Sequence, residues 1–261
     1  MKPTFLNHSE PLITCMIQCS DPTAIISTVR NAVYDGAEAF GFQICKIPVE
    51  LRNKETMQSI YRHMEDKPIY ITNYRGGFSK EHTEEERAEF LLQGLEWGAN
   101  LCDVMGDYYD PTPGELTWNP AAIDKQKKLV DTIHQKGGEV LMSCHTHKFM
   151  TAEQVLEMAH AHQDRGADIS KIVAAANSDE EEMENLRICT LLRKELKIPF
   201  LFLCSGSHTK LLRMMGPFLG SVMWLCVQEH DALSTKQQPI LRAVRNVKNS
   251  FDYKPERKFD I

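Results

Sequence analysis

Short apolar runs alternate with longer segments of helical period along the whole chain. Eight runs read as strands: Ile13–Gln18, Ala39–Ile44, Pro68–Thr72, Leu101–Met105, Glu139–Ser143, Ile169–Val173, Phe200–Leu203 and Val222–Val227. Each is brief and bounded by turn residues, as strands buried on both faces of a parallel sheet are. Eight segments carry a helical pattern: Thr23–Tyr34, Lys54–Glu65, Glu84–Trp97, Ala121–Gln135, Ala152–Arg165, Asp179–Leu196, Lys210–Met215 and Ile240–Phe251. Asp21-Pro22, Asn119-Pro120 and Ser178 before Asp-Glu-Glu are helix start signals. Gly-Ala pairs at 36–37, 98–99 and 166–167 follow the first, third and fifth helices, where reversal into a strand favours small residues.

Eight strands and eight helices in strict alternation is the count of a (β/α)8 TIM barrel, expected here as a single domain over residues 1–261. The rival is a doubly wound open sheet, which normally has a Gly-rich phosphate loop after its first strand. Here the first strand runs into Cys19-Ser20-Asp21-Pro22, without glycine. Asn53–Lys54 and Gly106–Pro120 read as insertions, and the second is long enough to act on a substrate.

Of the 261 residues, 42% are hydrophobic and 25% charged, which excludes disordered, collagenous and disulfide-scaffold classes. Thirty basic against 36 acidic residues leave a net charge of −6, so nucleic acid is not an expected partner. No run approaches the roughly 20 apolar residues that span a bilayer. Pro3, Asn7 and Glu10 stand where a signal peptide needs an apolar stretch, so a soluble protein is expected. The eight cysteines include no Cys-x-x-Cys pair and fall mostly in strand-like runs. They read as reduced, buried small hydrophobes in a cytoplasmic protein.

In a barrel of this kind chemistry sits where strands end and βα loops begin. The fifth strand delivers His145 and His147 just past its end, and the sixth carries Lys171 between Ser170 and Ile172. Burial disfavours a charged amine, and a neutral amine at pH 7 is a Schiff-base nucleophile for a ketone. Read alone, Lys171 is equally a lysine reaching out of the barrel bottom or paired with Asp168. His145 on the neighbouring strand supplies the general acid/base that imine chemistry needs, unless it merely bonds a loop. His145 and His147 could also hold a metal, but no carboxylate partner is evident.

At these residues the chain resembles the type I 3-dehydroquinate dehydratase family, over roughly Gly36 to Gln238 and most strongly over residues 139–238. Ser143-Cys144-His145 matches the family's Ser-x-His, with Thr146-His147 in place of Asp-Phe. Gly166-Ala-Asp-Ile-Ser-Lys171 matches Gly-Ala-Asp-Ile-Pro-Lys, and Gly206 with Arg213 matches a Gly seven residues before an Arg. Gly220-Ser221 follows, and Ser234-Thr-Lys-Gln-Gln238 keeps both ends of Ser-Ala-Pro-Gly-Gln. The resemblance implies a hydro-lyase in which Lys171 forms an imine with a substrate ketone. His145 would remove the adjacent C–H proton and protonate the departing hydroxyl, while Arg213, Ser234 and Gln238 hold the substrate carboxylate. It implies no cofactor and no metal, because the imine is the electron sink. It also implies a homodimer and a place in the shikimate pathway of aromatic amino acid biosynthesis. Without it, Arg213 would read as an arginine on a helix surface.

The first half departs from the family. Gly41, Gln43 and Cys45 replace the second strand's Glu-x-Arg-x-Asp, which binds substrate hydroxyls in the family. The third-strand arginine falls on Tyr74, or on Arg75 with one insertion, and Glu-Gly-Gly is reduced to Gly76-Gly77. Asp103-Val104-Met105 replaces Asp-x-Glu, and two methionines of the seventh strand become Leu203 and Ser205. The expected substrate is therefore 3-dehydroquinate or a related keto acid, with Tyr74, Arg75, Gln43 and the Tyr108-Tyr109 loop as specificity candidates. The alternatives are an imine-forming aldolase, a metal enzyme built on His145 and His147, and a barrel that only binds a carboxylate.

Overall fold

The computed structural model describes residues 3–251. Eight parallel strands alternate with eight helices: β1 Leu12–Ile17, α1 Pro22–Asp35, β2 Ala39–Gln43, α2 Lys54–Tyr61, β3 Ile69–Thr72, α3 Glu84–Trp97, β4 Leu101–Met105, α4 Pro120–Gln135, β5 Glu139–His145, α5 Ala152–Asp164, β6 Ile169–Ala175, α6 Asp179–Glu195, β7 Phe200–Ser205, α7 Lys210–Met215, β8 Met223–Cys226 and α8 Leu241–Lys248. The strands follow chain order from β1 to β7, with β8 beside β1. The ring closes between β7 and β8 through a single bridge, Phe200 to Ser221, where the Val222 N–H donates to the Phe200 carbonyl at 2.8 Å. The fold is a single-domain (β/α)8 TIM barrel, as the alternation predicts.

The start signals act through their side chains. Asp21, Asn119 and Ser178 accept from backbone N–H groups of the first turns of α1, α4 and α6. Thr83 and Thr151 form capping boxes with Glu86 and Gln154. Several expected spans differ at their ends: β5 and β7 run on to His145 and Ser205, α8 stops at Lys248, and α2 and β6 differ as well. Helix α2 stops at Tyr61, because the chain leaves the helix through a turn in which Glu65 adopts a left-handed φ of 57°. Strand β6 runs two residues further than expected, since Ala174 and Ala175 continue the pairing with Cys204 and Ser205 of β7.

Inward-facing residues including Leu101, Leu141, Ile169 and Leu201 fill the barrel, and Phe5 closes its lower end with an edge contact to Tyr70. Outward-facing residues such as Ile13, Phe40, Val104 and Trp224 pack beneath the helices. The eight cysteines are all free; seven are buried and Cys19 is half-buried. Among the described residues no helix is long and apolar enough to cross a membrane.

Candidate active site

Side chains on one face of a strand recur every second residue, so Ser143 and His145 of β5 point into the barrel together, as do Lys171 and Val173 of β6. The register pairs Ser143 with Lys171 and His145 with Val173. Lysine and histidine therefore occupy successive inward layers rather than the same one. Above them lies a cavity of about 480 Å³ at the C-terminal ends of the strands, reached by Lys171, His145, Tyr74, Arg213 and Gln238. That volume suits a small ligand.

Lys171 is 4% exposed. It is not the bare desolvated amine expected from sequence, nor does it pair with Asp168, which caps the Val140 N–H and bonds His134. Its Nζ lies 3.1 Å from Asp103 on β4 and donates to the hydroxyls of Tyr70, at 3.0 Å, and Tyr74. Asp103 also accepts from Ser143, Tyr70 and Tyr74. Burial works to raise the Asp103 carboxyl, but Lys171 and these three hydroxyls outweigh it and hold it below its ordinary value. The same burial, with Asp103 alongside, pushes both tyrosine hydroxyls well above theirs. The floor of the cavity is thus a buried ion pair ringed by hydroxyls, with its Lys171 end open to the cavity.

His145 is oriented by a residue the sequence reading missed. Glu115, from the loop between β4 and α4, accepts from His145 twice, at 2.7 Å from Nδ1 and at 2.9 Å from the backbone N–H. Burial would raise the Glu115 carboxyl, yet these contacts hold it below its ordinary value. An ionised carboxylate only accepts, so Nδ1 carries the proton and Nε2 is left as the basic nitrogen. Glu115 reaches this position from a left-handed backbone, φ 51°, a conformation uncommon for a residue with a side chain. The long loop does act on the site, through Glu115. Tyr108 is fully buried and Tyr109 packs against Lys125, and neither lines the cavity.

Arg213 is 7% exposed, not the surface arginine its helix suggested. The turn that aims it depends on Gly206, whose φ is +102° and whose missing Cβ leaves room for the Ala176 carbonyl. Its Nε donates to the Cys204 carbonyl at 3.0 Å, and among the described residues no carboxylate pairs with it. Burial pulls the guanidinium down to about 10. Gln238 also faces the cavity, with its amide Oε1 buried and without a partner. Ser234 is turned into its own loop, where its hydroxyl exchanges bonds with Asp231, and it does not line the cavity.

Arg75 is bound to Glu84 and Asp107, so its charge is spent outside the cavity. Gln43 and Tyr74 do line it, whereas Cys45 is buried elsewhere. A Cβ at Gly41 would collide with the Met16 thioether, so Met16 fills the space above that glycine. Met16, Val173, Leu203 and Leu225 form an apolar wall. His147 reaches the cavity, but no group of three or more His, Cys, Asp or Glu side chains among the described residues could hold a metal ion.

The model of the family described as type I 3-dehydroquinase matches residues 47–252. A 3-dehydroquinate dehydratase of Alkaliphilus oremlandii (strain OhILAs) is 28% identical over 173 residues, 64% of this chain and 63% of the relative. The pentafunctional AROM polypeptide of Schizosaccharomyces pombe is 25% identical over 171 residues, 63% of this chain and 9% of its own length. The chain thus spans less than two thirds of either relative. A 3-dehydroquinate dehydratase structure from Geobacillus kaustophilus HTA426 superposes with a TM-score of 0.78 at 18% identity, covering 92% of this chain and 90% of that one. One from Clostridium difficile, carrying covalently modified comenic acid, gives 0.77 at 16%, covering 93% and 92%. At such identities the structural likeness speaks for the fold.

Proposed function

Because the chain belongs to the type I 3-dehydroquinase family, we propose that it is a hydro-lyase that removes water from 3-dehydroquinate or a related keto acid through an imine on Lys171. The observation that carries this reading is a buried lysine facing a cavity beside an oriented histidine and an arginine without an acid partner. In the proposed reaction the Lys171 amine replaces the ketone oxygen, and water leaves. The Nε2 atom of His145 takes the proton from the carbon next to the imine, and the electron pair passes into the C=N bond. The pair returns to expel the hydroxyl one carbon further on, which leaves as water with the proton His145 holds. Hydrolysis frees the enone and Lys171. Arg213 suits a substrate carboxylate, which a guanidinium takes in two parallel hydrogen bonds. Ser234 would join it only by rotating out of its bonds to Asp231.

The test is incubation with 3-dehydroquinate and cyanoborohydride, read by peptide mass at Lys171, together with an assay for the enone. Trapping at Lys171 and enone formation, both abolished in Lys171→Ala, are expected. Enone formation at the rate of Lys171→Ala would overturn the dehydroquinate assignment. A second reading, an imine-forming lyase such as an aldolase on a different keto acid, is favoured by one observation. Met16 over Gly41 puts thioether where the family binds substrate hydroxyls. Trapping without enone, using a less hydroxylated keto acid, would support it. The family reading also carries with it a cytoplasmic homodimer serving the shikimate pathway; sedimentation and cell fractionation test the first two.

A further inference from the structure

Around Lys171 three groups can exchange a proton with its amine: Asp103, Tyr70 and Tyr74. Asp103 and Tyr70 are fully buried in the barrel floor and do not line the cavity, whereas Tyr74 does. The Tyr74 hydroxyl donates to Asp103 at 2.6 Å, accepts from Lys171, and its ring stands edge-on to His145 with centroids 5.1 Å apart. A single hydroxyl therefore joins a carboxylate closed off from substrate to the space the substrate carbonyl must enter.

We propose that Tyr74 is a catalytic residue of imine formation, relaying protons between the Lys171 nitrogen, Asp103 and the substrate carbonyl oxygen. This rests on the Schiff-base reading above and assigns that half of the reaction to a group other than His145. The ammonium gives one proton through Tyr74 to Asp103, and the freed electron pair forms the N–C bond while the carbonyl oxygen takes a proton from Tyr74. A second proton from nitrogen follows the same route, and the C–O bond breaks to release water. The ammonium starts with three protons and the protonated imine keeps one, so the two lost from nitrogen are the two the water carries. No outside acid is needed. Burial keeps the phenol protonated at neutral pH, so it works as a simultaneous donor and acceptor and not as a phenolate.

The experiment measures the initial rate at which 3-dehydroquinate adds mass at Lys171, at cyanoborohydride concentrations high enough that the rate no longer depends on them and imine formation is limiting, in the full chain and in Tyr74→Phe and Tyr70→Phe. Both variants remove a hydroxyl that touches Lys171 and Asp103, but only Tyr74 meets the substrate. Tyr74→Phe should slow trapping by about a hundredfold, the lower range for loss of a positioned acid–base group. Tyr70→Phe should show a loss at least tenfold smaller, and Tyr74→His should recover part of the rate. Trapping by Tyr74→Phe at the original rate, or equal losses in the two Phe variants, would overturn the proposal while leaving the imine in place. An unmodified Lys171 in the parent chain would overturn the Schiff-base reading itself, and this proposal with it. Should Tyr74→Phe fail to fold, the parent chain decides, because trapping equally fast in H2O and D2O at saturating cyanoborohydride, where imine formation is limiting, overturns a relay that controls that step.

Discussion

Lys171 and Asp103 form an ion pair at 3.1 Å across the barrel floor, on strands β6 and β4 with β5 between them. Neither residue is exposed beyond 4%. Removing one member of such a pair leaves an uncompensated buried charge, which costs about 3–5 kcal/mol. Asp103→Asn and Lys171→Met should each lower the unfolding free energy from denaturant titration by that amount, and the double variant should be more stable than the sum of the two losses predicts. Strict additivity in the double-mutant cycle would show that the two charges are not coupled.

Glu115 should matter to turnover more than to binding. Its carboxylate fixes the His145 tautomer and makes no ion pair with Arg213. With whichever keto acid traps at Lys171, Glu115→Ala should lower kcat by about a hundredfold at nearly constant KM. Glu115→Gln keeps an acceptor for Nδ1 and should recover part of that loss. Steady-state kinetics on the three proteins decide it, and a change confined to KM would contradict the orienting role.

Arg213 should behave in the opposite way. Hydrogen bonds to a charged group contribute about 1.5–3 kcal/mol, or roughly 10- to 150-fold in affinity. Arg213→Ala should weaken a carboxylate-bearing inhibitor by a factor in that range, measured by calorimetry. Arg213→Lys should rescue little, because it also loses the Nε bond to the Cys204 carbonyl. Unchanged inhibitor affinity would remove Arg213 from the binding site.

Gly41 holds the Met16 side chain in place by lacking one of its own. An added methyl there meets the far end of the flexible Met16 side chain, which can swing into the cavity, so Gly41→Ala should cost about 1 kcal/mol or less. Adding Met16→Ala should not restore that loss, because truncating the buried methionine itself costs about 2–5 kcal/mol. Urea unfolding of the single and double variants tests both steps.

His162 of α5 is fully buried, with Nε2 3.1 Å from the Cys144 sulfur and Nδ1 3.0 Å from the Ser170 hydroxyl. Burial first, and Arg165 second, pull the imidazole from 6.5 to about 3. The unfolded chain thus binds this proton near pH 6.5 and the folded chain only near pH 3. The contribution to stability is complete above pH 6.5 and is lost as pH falls toward 3, at about 1.4 kcal/mol per pH unit. Denaturant unfolding between pH 7 and 4 should show a slope shallower by one proton in His162→Asn.

The barrel was legible because apolar runs too brief for a helix and bounded by turn residues alternate with segments of helical period. Lys171 stood out as a charge inside such a run, and Asp103 carries the same signal within Leu101–Met105. Two opposite charges on inward positions of strands two apart are the sequence signal of an ion pair across the barrel. Glu115 had no such signal. It lies thirty residues before His145 in a loop without period, and a left-handed backbone aims it. Arg75 failed the other way, since a cation after a strand looks available until Glu84 and Asp107 fold onto it. The successive layers of Lys171 and His145 depend on register, which strand spans alone do not reveal.

The joint between β7 and β8 is thinner than any other in the ring, resting on the Phe200–Ser221 bridge rather than on a ladder. Arg213 follows one of those strands and Gln238 the other. On the proposed reading, a carboxylate held by Arg213 with Gln238 beside it would act as a clasp over this joint, so occupancy would tighten the ring as well as fill the cavity. Such a ligand adds resistance to unfolding that grows with the logarithm of its concentration above Kd, and amide exchange would slow first along β7 and β8.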